Sequence, residues 1–200
     1  MAEIINPGKL LVKVAPILDQ LGIAYFVTGG FAVSVWGRPR ATFDVDIVVQ
    51  LVEPQMASLA KALRRISEAG YVDEDTAREA IKTSGEFNFI DPETGVKVDF
   101  WVMKKNQISR LEFKRKVAKK IDGQKIYFIS PEDLILKKLH WCRISESSRH
   151  LEDAESVIKI SGNILDFNYL KKWAKKLDVA GVLAKLLKNK NSDPKNRLGL

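Results

Sequence analysis

Two aspartates stand two positions apart at the start of an apolar run, where Asp44 and Asp46 begin residues 44–49. Side chains on a strand alternate between its faces, so Asp44 and Asp46 share one face and the intervening apolar residues share the other. Two carboxylates about 7 Å apart on one face repel each other unless a cation lies between them. Hard cations such as Mg²⁺ prefer oxygen ligands, commonly one or two carboxylates with substrate phosphates. The pair therefore predicts a divalent metal site.

A third carboxylate, Asp99, lies in the middle of the apolar run 96–102. Alternation places it opposite Val98 and Phe100, and an ionised carboxylate there costs free energy unless it is paired or bound to metal. Catalysis by two metal ions needs a further carboxylate for the second ion, and we predict that Asp99 supplies it. The structural alternative is a salt bridge to Arg38 or Arg40. Trp101 shares the predicted face of Asp99 and could stack on a base.

A glycine pair, Gly29-Gly30, separates a predicted strand at 23–28 from a short predicted helix at 31–36. Glycines at such a turn let backbone N–H groups approach a triphosphate closely, and the start of a helix favours negative charge. A glycine pair alone marks many ordinary turns. Followed by the Asp44-x-Asp46 strand, it predicts a nucleotide triphosphate site.

The order of these residues resembles the signature of the DNA polymerase beta-like nucleotidyltransferase superfamily. The residues Val27-Thr28-Gly29-Gly30 are followed, after a spacer of thirteen residues, by Asp44-x-Asp46 on a strand, and Asp99 matches the third carboxylate on a later strand. The intervening stretch 37–42 resembles the small prokaryotic branch that includes the abortive-infection toxins of type IV toxin–antitoxin systems. A similar core occurs in tRNA CCA-adding enzymes.

The resemblance continues, less specifically, into the second half of the chain. Residues 131–139 are similar to a toxin segment that carries a lysine on a helix, and Lys138 fits that position better than Lys137. Residues 149–153 are similar to a later Arg-x-x-Lys-Asp segment ending at Asp153, although Glu152 replaces the usual lysine. The resemblance implies that Lys138 and Asp153 contribute to nucleotide binding.

The resemblance implies an enzyme that moves a nucleoside monophosphate from an NTP to an acceptor and releases pyrophosphate. Asp44, Asp46 and Asp99 would hold two Mg²⁺ ions, while the glycine pair and Arg40 would contact the triphosphate. Arg40 could instead pair with a carboxylate. The acceptor stays open between RNA such as tRNA, a protein and a small molecule such as an aminoglycoside. The alternative is an inactive module of the same fold that binds nucleic acid or a partner protein, but a polyanion-binding module gains nothing from three convergent carboxylates.

The elements that must position these residues form an α+β fold, a nucleotidyltransferase-type mixed sheet with flanking helices and a helical C-terminal subdomain. We place the catalytic core at 1–129 and the helical subdomain at 130–200. The patterning predicts a strand at 44–51 and a hairpin at 86–90 and 96–102. Further predicted elements are helices at 54–69, 108–121, 131–145, 148–160 and 168–188 and a short strand at 125–129.

Composition narrows the class of protein further. No apolar run reaches the roughly 18 residues that span a bilayer, and no signal peptide pattern is visible, so we expect a cytoplasmic location. The single cysteine, Cys142, excludes an internal disulfide and suits a reducing compartment. The net charge of +8 is uneven, because residues 1–100 hold 10 Lys/Arg and 14 Asp/Glu whereas the rest hold 23 and 11. Basic clusters at 104–120 and 171–176 could follow a nucleic-acid backbone, but a solvated helix face is the preferred interpretation. The sequence predicts no oligomeric state.

Overall fold

The computed structural model of the protein describes residues 7–67 and 69–192, which form two compact units. The first, here called the sheet unit, contains the chain up to Phe31 together with Ala41–Ile129. The second, here called the helical unit, contains Ala32–Arg40 together with the chain from Ser130 onward. The sheet unit carries the predicted aspartates and glycines, and the helical unit carries Arg40, Lys138 and Asp153.

The sheet unit contains a mixed sheet of seven strands, as the α+β prediction requires. The sheet order is β3-β4-β5-β2-β1-β7-β6, in which β2–β5 and β1–β7 are parallel and the other neighbours are antiparallel. The strands are β1 Tyr25–Val27, β2 Asp44–Val49, β3 Tyr71–Val72, β4 Glu86–Asp91, β5 Val96–Val102, β6 Val117–Ile121 and β7 Gln124–Phe128.

Helices accompany the sheet and make up the helical unit. In the sheet unit they are α1 Pro7–Gln20, α3 Glu53–Leu63, α4 Glu74–Thr83 and α5 Gln107–Arg115. The short α2, Gly29–Trp36, begins in the sheet unit and ends in the helical unit. The helical unit continues with α6 Pro131–Ser145, α7 Ser148–Ile160, α8 Phe167–Lys176 and α9 Ala180–Ser192. Among the described residues, no helix has the length and apolar content needed to span a membrane.

The core of the sheet unit follows from the alternation of its strands. Along β5 the side chains of Val96, Val98, Phe100 and Val102 are buried, while the residues between them face the other side. The ring of Phe100 stacks on Phe87 of β4 with centroids 5.0 Å apart. The central strands are therefore fixed by one buried apolar face, and their opposite face is left for polar side chains.

The predicted helix at 108–121 is wrong in its second half. Helix α5 ends at Arg115, and β6 begins at Val117 and pairs with β7 through a tight turn. Asp122 and Gly123 in that turn have φ angles of 46° and 80°. An Asp-Gly pair between two strands is a strong hairpin signal, because both positions tolerate the left-handed backbone that such turns need.

Two other predicted helices are too long. The predicted helix at 168–188 is divided, since α8 ends at Lys176 and Asp178 adopts a left-handed φ of 56° before α9 begins. The predicted helix at 54–69 ends at Leu63. The start of α6 is as predicted, because the Ser130 hydroxyl accepts the N–H of Asp133 as an N-terminal cap.

Candidate active site

The sheet unit brings the three predicted carboxylates to one face of two neighbouring parallel strands. In the pairing of β2 with β5, Asp46 is the direct neighbour of Asp99, and Asp44 is the neighbour of Lys97. Adjacent strands lie about 4.8 Å apart, so residues in register on one face have adjoining side chains. This surface, formed by Asp44, Asp46, Lys97, Asp99 and Trp101, is called the carboxylate face below.

Two of the aspartates are oriented by side chains of the same unit. The hydroxyl of Thr42 donates to Oδ1 of Asp44 over 2.9 Å. The indole N–H of Trp101 donates to Oδ1 of Asp46 over 3.3 Å. Trp101 thus lies on the face predicted for it and contacts a carboxylate directly. Each of these two hydrogen bonds uses Oδ1 of its aspartate and does not involve Oδ2.

Asp99 forms an ion pair with a lysine of its own strand rather than with an arginine. The ammonium of Lys97 lies 2.9 Å from Oδ2 of Asp99. The hydrogen bond that Lys97 donates to Asp99, together with the negative charges of Asp99, Asp44 and Asp46, raises the pKa of Lys97 against the opposing effect of burial. Lys97 was not among the predicted site residues, although its place two positions before Asp99 puts both residues on one face.

The first residue of α2 packs directly against Asp46. Gly29 has a φ of +63°, and a Cβ built on it would lie 1.8 Å from Oδ2 of Asp46. No residue with a side chain fits there without moving the carboxylate. The backbone N–H of Thr28 also donates to the carbonyl of Asp46 over 2.8 Å. The glycine pair thus begins a helix in contact with a carboxylate of the face, and Gly30 is the second residue of that helix.

The oxygen donors of this face suit a hard divalent cation. Asp44 and Asp46 are both partly exposed on the same side of β2, and these two would hold such an ion. Within the described ranges, no group of three or more Asp, Glu, His or Cys side chains is arranged to hold one metal ion. The carboxylate of Asp99, which we expected to complete the set, is bonded to Lys97 instead.

The helical unit brings together the three other predicted residues around one buried carboxylate. Arg40 donates from Nε to Oδ1 of Asp153 over 2.9 Å and from Nη2 to Oδ2 over 3.1 Å. Lys138 Nζ lies 2.8 Å from the same Oδ2. Burial acts to raise the pKa of Asp153, but the hydrogen bonds from Arg40 and Lys138 outweigh it and the pKa lies below its usual range. This set, called the Arg40–Asp153–Lys138 cluster, combines two cations with one anion.

The loop that carries Arg40 is attached to α7. A Cβ on Gly37 would lie 2.4 Å from the Ser156 hydroxyl, so the loop can approach the helix only because residue 37 is glycine. The backbone N–H of Arg38 donates to the same hydroxyl over 3.2 Å, and the Ser161 hydroxyl donates to the carbonyl of Trp36 over 2.6 Å. These contacts fix the backbone from which Arg40 reaches Asp153.

One further side chain faces the cluster from the helical unit. His150 precedes Asp153 by one helical turn, and its pKa is lowered by burial and by the charge of Lys138. Its Nδ1 is buried without a hydrogen-bond partner. The burial of His150 depends on the packing of α7, which the sequence alone does not reveal.

The predicted basic cluster at 104–120 is mostly exposed, but Arg115 and Lys116 are half-buried. The ammonium of Lys116 donates to the carbonyl of Tyr25 over 3.2 Å and lies 4.2 Å from the ring centroid of Tyr127. Burial lowers its pKa. Lys116 is therefore part of the packing of β1, β7 and α5, whereas Lys119 and Lys120 lie on the exposed part of β6.

Solved structures share this fold at low sequence identity. An antigenic nucleotidyltransferase-like protein from Paracoccidioides brasiliensis is 21% identical over 76% of this chain and 75% of its own, with a TM-score of 0.52. The antibiotic-resistance factor ANT(2″)-Ia is 14% identical over 92% and 93%, with a TM-score of 0.54. A putative nucleotidyltransferase from Thermotoga maritima is 16% identical over 74% and 93%, with a TM-score of 0.50. These likenesses concern the fold.

No curated protein sequence matches the chain. The profile of one protein family, described as "Nucleotidyl transferase AbiEii toxin, Type IV TA system", matches residues 17–192. The match includes the carboxylate face, the glycine pair and the Arg40–Asp153–Lys138 cluster. The chain therefore belongs to the AbiEii family of nucleotidyltransferase enzymes, the toxins of type IV toxin–antitoxin systems.

Proposed function

We propose that the protein transfers a nucleoside monophosphate from an NTP to a hydroxyl group of an acceptor, and that the carboxylate face is its catalytic centre. The observation that carries the proposal is the register of β2 and β5, which sets Asp46 directly beside Asp99 on the face that also holds Asp44. The contact of Gly29 with the Asp46 carboxylate supports it, because it brings the start of a helix to the same place.

The chain's own residues have distinct roles in this proposal. Asp44 and Asp46 bind divalent cations, of which two Mg²⁺ ions are expected during the reaction. Bound Mg²⁺ supplies neutralisation of phosphate charge and a lowered pKa for a coordinated hydroxyl. Asp99 would complete the site for the second ion and accept the proton of the acceptor hydroxyl. The hydroxyl oxygen forms a bond to the α-phosphorus, while the bond to pyrophosphate breaks and pyrophosphate leaves.

The Arg40–Asp153–Lys138 cluster is proposed to bind phosphate groups of the nucleotide. Its two cations and one anion leave a formal charge of plus one in a largely buried setting, where an anion is attracted more strongly than on an open surface. Asp153 holds Arg40 by two parallel hydrogen bonds, which fix the plane of the guanidinium. In this proposal Arg40 and Lys138 contact phosphate, and Asp153 positions them.

The test uses NTPs labelled at the α-phosphate, with Mg²⁺ and total cell RNA or protein as acceptors. We expect label to be transferred, and the labelled fraction identifies the acceptor. We expect the rate of transfer to fall at least about a hundredfold in each of Asp44→Asn, Asp46→Asn and Asp99→Asn. Each substitution removes a carboxylate that contributes several kcal/mol to stabilisation of the transition state. The melting temperatures of Asp44→Asn and Asp46→Asn should equal or exceed that of the unmodified protein without metal, because like charges on one face destabilise.

The matched control is Asp75→Asn, which removes an exposed carboxylate of α4 in the same unit. It should leave transfer unchanged. Full activity in either Asp44→Asn or Asp46→Asn would rule out the carboxylate face as the catalytic centre. Label that reaches neither RNA nor protein, but appears on added aminoglycoside, would assign a small-molecule acceptor.

A further inference from the structure

Lys97 is the one side chain of the carboxylate face with a positive charge. It is in register with Asp44 on the neighbouring strand, and its ammonium is hydrogen-bonded to Asp99 at 2.9 Å. Its side chain is about two-fifths exposed, whereas that of Asp99 is largely covered. The ammonium of the more exposed lysine is therefore bonded to a carboxylate that is itself mostly covered.

The net charge of the carboxylate face is balanced by one divalent cation rather than by two. Three carboxylates and one ammonium leave a formal charge of minus two, which a single divalent ion neutralises. A second ion would need an oxygen of Asp99, and the ammonium of Lys97 is bonded to Oδ2 of that carboxylate. A divalent ion on the same carboxylate would lie close to this ammonium, and the two cations would repel each other strongly at the low effective dielectric of a partly covered site.

We infer that Lys97 competes with the second divalent cation for Asp99, so that the nucleotide-free protein binds one such ion, on Asp44 and Asp46. This inference rests on the proposed function of the carboxylate face. It assigns Lys97 as a positioning residue: it keeps Asp99 in place and must release it before a second ion can be bound.

The release follows from the chemistry of the substrate. A triphosphate is a polyanion, and an ammonium on a flexible four-carbon stem can turn from a carboxylate to a phosphate oxygen without backbone movement. Arrival of the nucleotide thus offers Lys97 another anion and frees Asp99. Uptake of the second ion is in this way coupled to nucleotide binding, and a centre with two ions forms only around its substrate.

The experiment counts bound Mn²⁺ by electron paramagnetic resonance in the full-length protein without nucleotide. We expect one tightly bound ion per chain in the unmodified protein and two in Lys97→Met, with the second bound at least about tenfold more tightly than in the unmodified protein, which corresponds to about 1.4 kcal/mol. Lys97→Arg retains the charge and should bind one ion. Lys97→Met combined with Asp99→Asn should return to one.

The matched control is Lys82→Met, which removes an exposed lysine paired with Glu79 in the same unit and should leave the count at one. Circular dichroism verifies that each variant is folded, and Lys97→Gln replaces Lys97→Met if the latter is not. Two ions in the unmodified protein, or one in both neutral variants, would overturn the inference and leave the proposed function intact. No bound ion in any variant would instead overturn the proposed metal site itself.

Discussion

The carboxylate of Asp46 has a defined neighbour at each oxygen. The indole N–H of Trp101 donates to Oδ1, and the Cα of Gly29 lies so close to Oδ2 that a methyl group would overlap it. A carboxylate held from two sides loses little rotational freedom when it binds a cation, so its affinity depends on this local packing as well as on its charge.

Gly29→Ala tests the packing at Oδ2. The substitution adds a Cβ that overlaps Asp46 and also forces a left-handed backbone on alanine. We expect the free energy of unfolding to fall by about 2–4 kcal/mol and transfer activity to fall at least about tenfold. Chemical denaturation and the labelled-NTP assay measure the two effects.

Gly22→Ala is the control for the backbone contribution. Gly22 has nearly the same φ, +64°, but a Cβ there would meet nothing within 4 Å. It should cost about 1 kcal/mol and leave activity unchanged. Equal losses of stability and activity in the two variants would show that the contact with Asp46 has no special role.

Asp153 provides a test of electrostatics at the same scale. Asp153→Asn leaves two cations close together without their shared anion, and we expect a loss of about 3 kcal/mol at pH 7. The folded-state pKa of Asp153 lies below the ordinary value of 3.8, so its stabilising contribution is complete above that value and disappears as the pH falls through the lower, folded-state pKa. The stability difference between the two proteins should be constant from pH 7 to 5 and should shrink below about pH 4, as urea titrations at each pH will show.

Asp178→Asn is the comparison for an exposed pair. Asp178 binds Arg143 over 3.1 Å with its carboxylate almost fully exposed. Its removal should cost less than about 1 kcal/mol, and asparagine tolerates the left-handed backbone there. If Asp153→Asn cost no more than this, the cluster would be a surface ion pair in energetic terms.

The sequence predicted the faces of individual side chains better than their partners. Alternation alone placed Asp44, Asp46, Asp99 and Trp101 on one side of their strands. It could not show that Lys97 pairs with Asp99 or that Arg40 pairs with Asp153, because a strand's period gives no information on rotamers or on which residue of a distant segment lies opposite.

At the scale of elements, the segment formed by α2 and the loop after it has two positions where the backbone packs directly against a side chain. The helix begins with Gly29 against Asp46 in the sheet unit, and the following loop has Gly37 against Ser156 in the helical unit. Space excludes a side chain at both positions. Gly29 has in addition a left-handed backbone, whereas at Gly37 the limitation is space alone.

Gly37→Ala should displace the loop from α7. Its Cβ would lie 2.4 Å from the Ser156 hydroxyl and 3.0 Å from the backbone nitrogen of Val157. We expect a loss of about 2 kcal/mol and weaker nucleotide binding, because the loop carries Arg40. Combination with Ser156→Ala should recover part of the loss, so a double-mutant cycle measured by denaturation should give a coupling energy of about 1 kcal/mol.

Gly181→Ala supplies the control, since a Cβ at Gly181 in α9 meets nothing within 4 Å and alanine favours helix. It should keep or increase the free energy of unfolding. Additive effects of Gly37→Ala and Ser156→Ala would mean that the loop does not depend on this contact.

Elements were predictable where the local pattern was long and apolar, as in β2 and β5. An element was not predictable where a short basic segment forms an edge strand. Residues 117–121 contain two lysines and too few apolar positions to reveal a period of two, and their strand exists because β7 pairs with it across the Asp122-Gly123 turn.

For the whole molecule, one motif in the sequence was enough to predict the family and the fold. The division of the chain into the sheet unit and the helical unit did not follow from that motif. Residues 32–40 cluster with the helical unit although a predicted boundary after residue 129 assigned them to the core. Contacts with α7, made by Gly37, Arg38 and Arg40, attach this segment to the helical unit. The excess of positive charge after residue 100 is distributed over both units, from exposed lysines of β6 to those of α8.

The parallel pairing of β2 with β5 also has a consequence for protein synthesis. Strand β5 lies between β4 and β2 in the sheet, yet it is made about fifty residues after β2. A nascent chain that has emerged only as far as α4 contains Asp44 and Asp46 but neither Asp99 nor Lys97. An aborted translation product that ends before residue 96 therefore lacks Lys97, Asp99 and Trp101 of the carboxylate face, and under the proposed function it would be inactive.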